Sequence, residues 1–256
     1  MIEVRDLHRA YRGRLGRPPV QALRGVSFDV TAGQRFGIVG ESGSGKSTLV
    51  RLLAALDTPT SGTISFRGTR IDNLPERRLR FLRDELQIVF QDPMGSLDPR
   101  MRVRDIICEP LTRPDTERLS ELLDAVGLPQ DAASRYPHQF SGGQRQRISI
   151  ARALAPNPKV LVADEPVSAL DVSVRAQILN LLADLVERYD LTLVFVSHDL
   201  SVVRHVCDTV AVMRRGEIVE LGDVEQVYQQ PSHEYTRDLI AAAPTLRSAL
   251  ARFQEG

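Results

Sequence analysis

The sequence has almost no lysine, almost no cysteine and no net charge, and each shortage narrows what the chain can do. Of its 33 basic residues only Lys46 and Lys159 are lysine and the other 31 are arginine. Such a bias reflects a GC-rich genome more than any binding task, but it makes each lysine conspicuous. The two cysteines, Cys108 and Cys207, lie too far apart for metal-ligand spacing. They read as reduced thiols of a cytosolic protein. Lys and Arg balance Asp and Glu at 33 each. A neutral chain lacks the cation surplus that sequence-independent nucleic-acid binding requires, so no nucleic-acid partner is expected. The apolar runs Val160–Ala163 and Leu193–Val196 fall far short of the roughly 20 residues of a spanning helix. The N-terminus, MIEVRDLHRA, is charged at once and has no apolar signal core. A soluble chain is expected, with any membrane role played through partners. Internal repeats and low-complexity segments are also absent.

What is present is a chain of 256 residues, 42% hydrophobic, the size of one large domain or one domain with an insert. Residues 2–7 and 22–30 alternate like half-buried strands, and Phe36–Val39 is a strand running into a glycine-rich loop. Leu49–Leu56 reads as a buried helix and Gly62–Phe66 as another strand. Pro75–Leu86 (PERRLRFLRDEL) reads as one charged amphipathic helix, followed by a short strand at Ile88–Phe90. Residues 92–155 hold helical patterns broken by Pro and Gly. Strand signals resume at Val160–Ala163, Leu191–Val196 and Thr209–Met213, each after a helix. That alternation predicts an α/β fold with a mostly parallel sheet. The expected division is an α/β core over about 1–91 and 156–230, a helical subdomain over about 92–155, and a tail over 231–256.

Gly40-Glu41-Ser42-Gly43-Ser44-Gly45-Lys46-Ser47, continuing to Thr48, fits G-x-x-x-x-G-K-[ST] between a strand and a helix. Glycines let the backbone curl so that its N–H groups converge on phosphate oxygens, and the following helix adds unpaired donors. Lys46 is a compact cation that can reach the β- and γ-phosphates, and Ser47 can offer its hydroxyl to Mg²⁺. By chance the pattern arises in on the order of one chain in a hundred at ordinary residue frequencies. Alone it implies nucleoside triphosphate binding and nothing more.

Val160–Ala163 ends in Asp164-Glu165-Pro166. At the carboxyl end of a central strand Asp164 is suited to the Mg²⁺ shell, and Glu165 to deprotonating an attacking water. Leu193–Val196 ends in Ser197-His198-Asp199. His198 can contact a γ-phosphate there, or it can be an ordinary capping or surface residue. Ser141-Gly142-Gly143-Gln144-Arg-Gln-Arg147 opens a helix that Pro156 ends. Serine is a good N-cap and the glycines leave the helix end bare, a second anion-binding end for one nucleotide.

With these residues the sequence resembles the ATPases of ABC transporters over nearly its whole length. The resemblance rests on six elements in order: the phosphate loop, Gln91 in Phe90-Gln-Asp-Pro93, the SGGQ signature, Asp164-Glu165, Ser168–Asp171 and His198. It implies a P-loop NTPase core of RecA-like type with an antiparallel N-terminal part and an inserted helical subdomain. It implies ATP and Mg²⁺ as cofactors, with catalytic roles for Lys46, Glu165 and His198. The signature of one subunit would close over the γ-phosphate held by another. Gln91 would touch Mg²⁺ and water while its flanks meet a membrane subunit. Asp171 would bridge the two sites, and Tyr11, where the family stacks an aromatic on adenine, is either that platform or packing. Phe140 stands where many relatives have Leu, an apolar exchange of little consequence.

Residues 91–101 (QDPMGSLDPRM), 136–143 (YPHQFSGG) and 231–239 (PSHEYTRDL), with Ala243-Pro244, are similar to importers of oligopeptides, dipeptides and nickel. Many of those continue into a cysteine cluster that this sequence lacks, so no iron–sulfur site is expected. The resemblance implies a second ATPase subunit, identical or homologous. It also implies two transmembrane permease subunits and, indirectly, an external substrate-binding protein, at the cytoplasmic face of the cell membrane. The competing classes are a non-transport ABC ATPase acting on DNA or ribosomes, which usually has two cassettes or long arms, and a P-loop metabolite kinase, which has no use for SGGQRQR.

Overall fold

The computed structural model describes residues 1–13 and 18–242; the expected Ala243-Pro244 feature and the rest of the tail lie outside them. Strands β1 (Ile2–Tyr11) and β2 (Val20–Val30) pair antiparallel and lead to β3 (Arg35–Val39) and helix α1 (Lys46–Leu53). Next come β4 (Ser61–Phe66), β5 (Thr69–Arg70), α2 (Arg80–Glu85) and β6 (Leu86–Val89). Residues 93–154 hold α3 (Pro93–Ser96), α4 (Val103–Cys108), α5 (Thr116–Ala125) and α6 (Gly142–Leu154). The chain then returns through β7 (Val160–Asp164), α7 (Val172–Arg188), β8 (Thr192–Ser197), α8 (Leu200–Val206) and β9 (Thr209–Arg214). It closes with β10 (Glu217–Asp223), α9 (Val224–Gln229) and α10 (Glu234–Ala242).

Two sheets result. One is four-stranded and antiparallel in the order β2-β1-β4-β5; the other is six-stranded in the order β10-β9-β3-β8-β7-β6. The five strands from β9 to β6 run parallel, and only the edge strand β10 is antiparallel. The fold class is thus α/β with a mostly parallel core and an antiparallel N-terminal sheet.

Why the central strands read as unbroken apolar runs is visible in their packing. Val160 and Val162 of β7 and Val194 and Val196 of β8 join one buried cluster, with Phe36, Ile38, α1 and the antiparallel sheet. Leu161, Ala163, Leu193 and Phe195 point the other way, into a cluster with α4 to α8. A strand with both faces covered has no position left for a polar residue.

The charged stretch 75–86 differs from its expected single helix. A 3₁₀ turn (Glu76–Arg78) is separated from α2 by Leu79, whose dihedrals are −92° and 1°. Leu79, at the break, and Leu82 are both buried. No helix among the described residues is long and apolar enough to cross a membrane.

Parallel pairing positions the site. Val39 lies opposite Ser197, Asp164 opposite Val196, and Val89 opposite Ala163. Four neighbouring strands therefore end on one edge of the sheet. The residues just beyond them (Gly40, His198, Glu165 and Gln91) are brought together from distant parts of the chain, where open α/β sheets bind ligands.

Candidate functional site

The loop Gly40–Gly45 leaves β3 and turns into α1. Gly45 has φ of 110°, and a Cβ there would stand 2.6 Å from the Ala22 carbonyl oxygen. No side chain fits that left-handed, crowded position. Lys46, the first helical residue, is only 5% exposed. Its Nζ donates to the Gly40 oxygen at 2.6 Å and the Glu41 oxygen at 2.9 Å, and lies 3.8 Å from Glu165 Oε1. Burial lowers the Lys46 ammonium below its usual range, against the pull of Glu165, Asp164 and Glu41.

Glu165 follows the end of β7 with φ of 46°, a left-handed conformation that costs a non-glycine residue on the order of 1–3 kcal/mol. The strained backbone is held by its own N–H donating to Val196 and by its carbonyl accepting from Ser168. The side chain that results spans two partners: Oε1 faces Lys46, and Oε2 is 3.2 Å from His198 Nδ1. Asp164 beside it is half-buried. Burial first and the Glu165 charge second push its carboxyl up to about 6, with Lys46 opposing. Two carboxylates share one ammonium, so the site has a surplus of negative charge and hard oxygen donors. Such an environment suits a divalent cation, and Ser47, Asp164 and Gln91 are the residues that could offer it oxygen.

A cavity of about 780 Å³ opens on Lys46 and Glu165, while Asp164 does not line it. It is lined by Glu41, Ser42, Gly43, Gly45, Lys46, Ser47 and Thr48, by Gln91, Glu165 and His198, and by Tyr11 with Val20, Gln21 and Ala22. Tyr11 is anchored: its hydroxyl donates to Asp57 Oδ2 at 2.8 Å, and the Arg9 guanidinium lies 4.6 Å from the ring centre. Burial alone would push Asp57 up, but hydrogen bonds from Tyr11 and Thr58 and the Arg9 charge hold it below the usual carboxylate range. Gly40 and Ser44 are buried within the loop itself.

The β2 wall of the cavity escapes sequence reasoning. Val20 reaches the site because it pairs with Tyr11, and its 64% exposure is the only local trace of that position.

Ser141, Gly142, Gly143, Gln144 and Asp171 do not line this cavity. They sit at the N-terminal ends of α6 and α7, where Ser141, Gly142, Gln144 and Asp171 are exposed and Gly143 is buried. Ser141 Oγ accepts from the Gln144 N–H at 3.3 Å while Gln144 Oε1 accepts from the Ser141 N–H at 3.0 Å. This capping box satisfies two groups and leaves the remaining amides of the first turn open to an anion. Asp171 caps α7 by accepting from the Val174 N–H and from Ser173 Oγ, both at 2.9 Å. Those bonds, the Val174 amide foremost, hold its carboxyl below the usual range. Next to it Val172 is 82% exposed.

The two helices are locked at Gly143, where a Cβ would stand 2.4 Å from Val174 Cγ1. Gly143→Ala is expected to destabilise the fold by about 1–3 kcal/mol through overpacking. Val174→Ala in the same chain should recover most of the loss. Thermal melts of the two variants check both statements.

The family model described as ABC transporter matches residues 23–168. The chain is 48% identical to the oligopeptide transport ATP-binding protein AppF of Bacillus subtilis, covering 96% of this chain and 79% of that protein. It is 51% identical to the oligopeptide transport ATP-binding protein OppD of Mycobacterium tuberculosis over 95% of its own length, but spans only 42% of that relative. Among solved structures it is similar to a dimeric post-hydrolysis state of the ATP-binding cassette MJ0796 bound to ADP and Pi. There the TM-score is 0.78 at 31% identity, over 88% of this chain and 99% of that one.

Proposed function

Because this chain belongs to the ABC transporter family of ATP-binding proteins, we propose that it is the ATP-hydrolysing subunit of an importer, energising uptake of peptides. The observation that carries the reading is the division of the site. Phosphate loop, Glu165 and His198 share one cavity, while Ser141, Gly142 and Gln144 of the signature stand outside it, exposed. A helix N-terminus capped but left open suits a phosphate held by a second copy or a close homologue. The two relatives compared above are oligopeptide transport ATP-binding proteins, which supports the peptide class.

In the hydrolytic step the loop amides and Lys46 bind the phosphates. Lys46 exchanges its two carbonyl partners in part for phosphate oxygens, a move that buried, partly desolvated ammonium favours. Glu165 accepts the proton of the attacking water as the oxygen adds to the γ-phosphorus and the bond to the bridging oxygen breaks. His198 holds the Glu165 carboxylate in place and lies within reach of the same phosphate. Ser47, Asp164 and Gln91 would hold Mg²⁺, which would neutralise charge on the phosphoryl oxygens when bound. The Tyr11 ring with Val20 and Ala22 forms the less polar end of the cavity, suited to adenine.

A second cleft fits the membrane partner. Leu56 and Phe90, 47% and 39% exposed, line it with Ile88, Pro110 and Arg152. The occupant we propose is a short cytoplasmic segment of each of two permease chains, placing this subunit on the cytoplasmic face of the membrane. Purification of the tagged chain from its native membrane is expected to bring down two permease chains. Consistent recovery of DNA or ribosomes in their place would sink the transport reading.

A further inference from the structure

The last described helix touches the phosphate loop from behind. Tyr235 of α10 is 4% exposed, and its hydroxyl oxygen accepts the Glu41 N–H at 3.0 Å across 194 residues of sequence. The turn before α10 is tied down as well. Glu220 of β10 accepts the N–H of Ser232 at 2.7 Å and of His233 at 3.2 Å, and His233 Nδ1 accepts the Tyr235 N–H at 3.0 Å. Arg214, at the end of β9, lies with its guanidinium 4.8 Å from the Tyr235 ring centre. Burial keeps the hydroxyl protonated by pushing it up.

The geometry has a specific mechanical meaning. The Glu41 N–H and the Gly40 carbonyl belong to one peptide unit, which is planar and rigid. Tyr235 holds its N–H end, and Lys46 Nζ holds its carbonyl end at 2.6 Å. Rotation of that one plane would remove the Gly40 oxygen from the ammonium. A donor–acceptor chain of this kind also strengthens each member, because the cation at the carbonyl polarises the N–H at the other end.

We propose that Tyr235 is a positioning residue for nucleotide binding, through which α10 sets the orientation of the Gly40–Glu41 peptide and with it the resting place of Lys46. The role rests on the reading of Gly40–Thr48 as the phosphate loop. It makes the segment after β10 part of the nucleotide site's support, and movement of α10 a route by which events at the C-terminal side change ATP affinity. The effect belongs to preorganisation of the loop, since Tyr235 itself touches no ligand.

The test uses the full chain and Tyr235→Phe, which keeps the ring against Arg214 and removes only the oxygen. ATP with Mg²⁺ is the probe, and Lys46→Ala is the control that abolishes phosphate binding. The expected result is a rise of about 3- to 10-fold in KM for ATP, the worth of one hydrogen bond, with kcat within about twofold and a melting temperature lowered by no more than about 4 °C. Amide exchange at Glu41 should quicken by about the same factor. Wild-type KM together with unchanged Glu41 exchange would overturn the proposal. So would a fall in melting temperature and kcat with KM unmoved, which marks a purely structural anchor. A wild-type chain that binds no ATP at all would overturn the nucleotide reading itself, and this proposal with it.

Discussion

Glu165→Gln is expected to keep ATP binding and to lower hydrolysis by about 10²–10⁴-fold, the usual cost of losing a positioned general base. The amide is the same size as the carboxylate and can still accept from His198, so the cavity keeps its shape. What it cannot do is take a proton from water. The substitution also removes the negative charge that helps to push Asp164 up and that pulls on Lys46. Nucleotide binding should therefore be equal or tighter, not weaker. In the proposed pair, hydrolysis would reopen the interface. The variant should then accumulate as a nucleotide-bound dimer in the presence of ATP and Mg²⁺. Single-turnover hydrolysis and light scattering measure the two halves of this statement. Hydrolysis within tenfold of wild type would remove Glu165 from the role of base.

Gly142→Asp tests the other half of the composite site. A Cβ at Gly142 meets nothing nearer than Leu170 Cδ2 at 3.5 Å, ordinary van der Waals contact. An acidic residue in the first helical turn gains about 0.3–1 kcal/mol from the helix dipole. The isolated chain should thus be as stable as wild type or slightly more so, and should bind ATP normally. Against a partner's γ-phosphate the new carboxylate is repelled by roughly 4 kcal/mol at 4 Å and an effective dielectric of 20. Hydrolysis is expected to fall by about 10³-fold, each 1.36 kcal/mol being one factor of ten. Mixing Gly142→Asp with Lys46→Ala sharpens the test. Each variant alone has only damaged sites, whereas a mixed pair holds one site with an intact loop and an intact signature. Recovered hydrolysis in the mixture is expected; none would mean that each chain carries a self-contained site.

How much of this was legible beforehand follows from what each feature depends on. The central strands were legible because burial on both faces leaves a continuous apolar run, as in Val160–Ala163. Glu165 and His198 were legible as residues just after strands, and Gln91 only through the resemblance to the family; parallel pairing then sets the three side by side. The edge strand β10 was not. Its pattern of exposed and half-buried residues, EIVELGD, lacks the apolar alternation of a covered strand. The break at Leu79 was hidden too, because amphipathic spacing does not distinguish one helix from a 3₁₀ turn plus a short helix. Val20 and Ala22 reach the cavity only through strand pairing, which no local pattern announces, and the similarity of 231–239 to relatives gave no hint that Tyr235 would back the Gly40–Glu41 peptide.

The scarcity of lysine has a practical consequence. Lys159 is exposed and Lys46 is nearly sealed, and these are the only two ε-amines in the chain. An amine-acylating reagent would modify Lys159 at once and Lys46 only slowly, through the open mouth of the cavity. Occupancy by nucleotide should close that slower reaction altogether. Mass mapping of a single peptide then reports how full the site is, without a label, a coupled assay or an engineered probe.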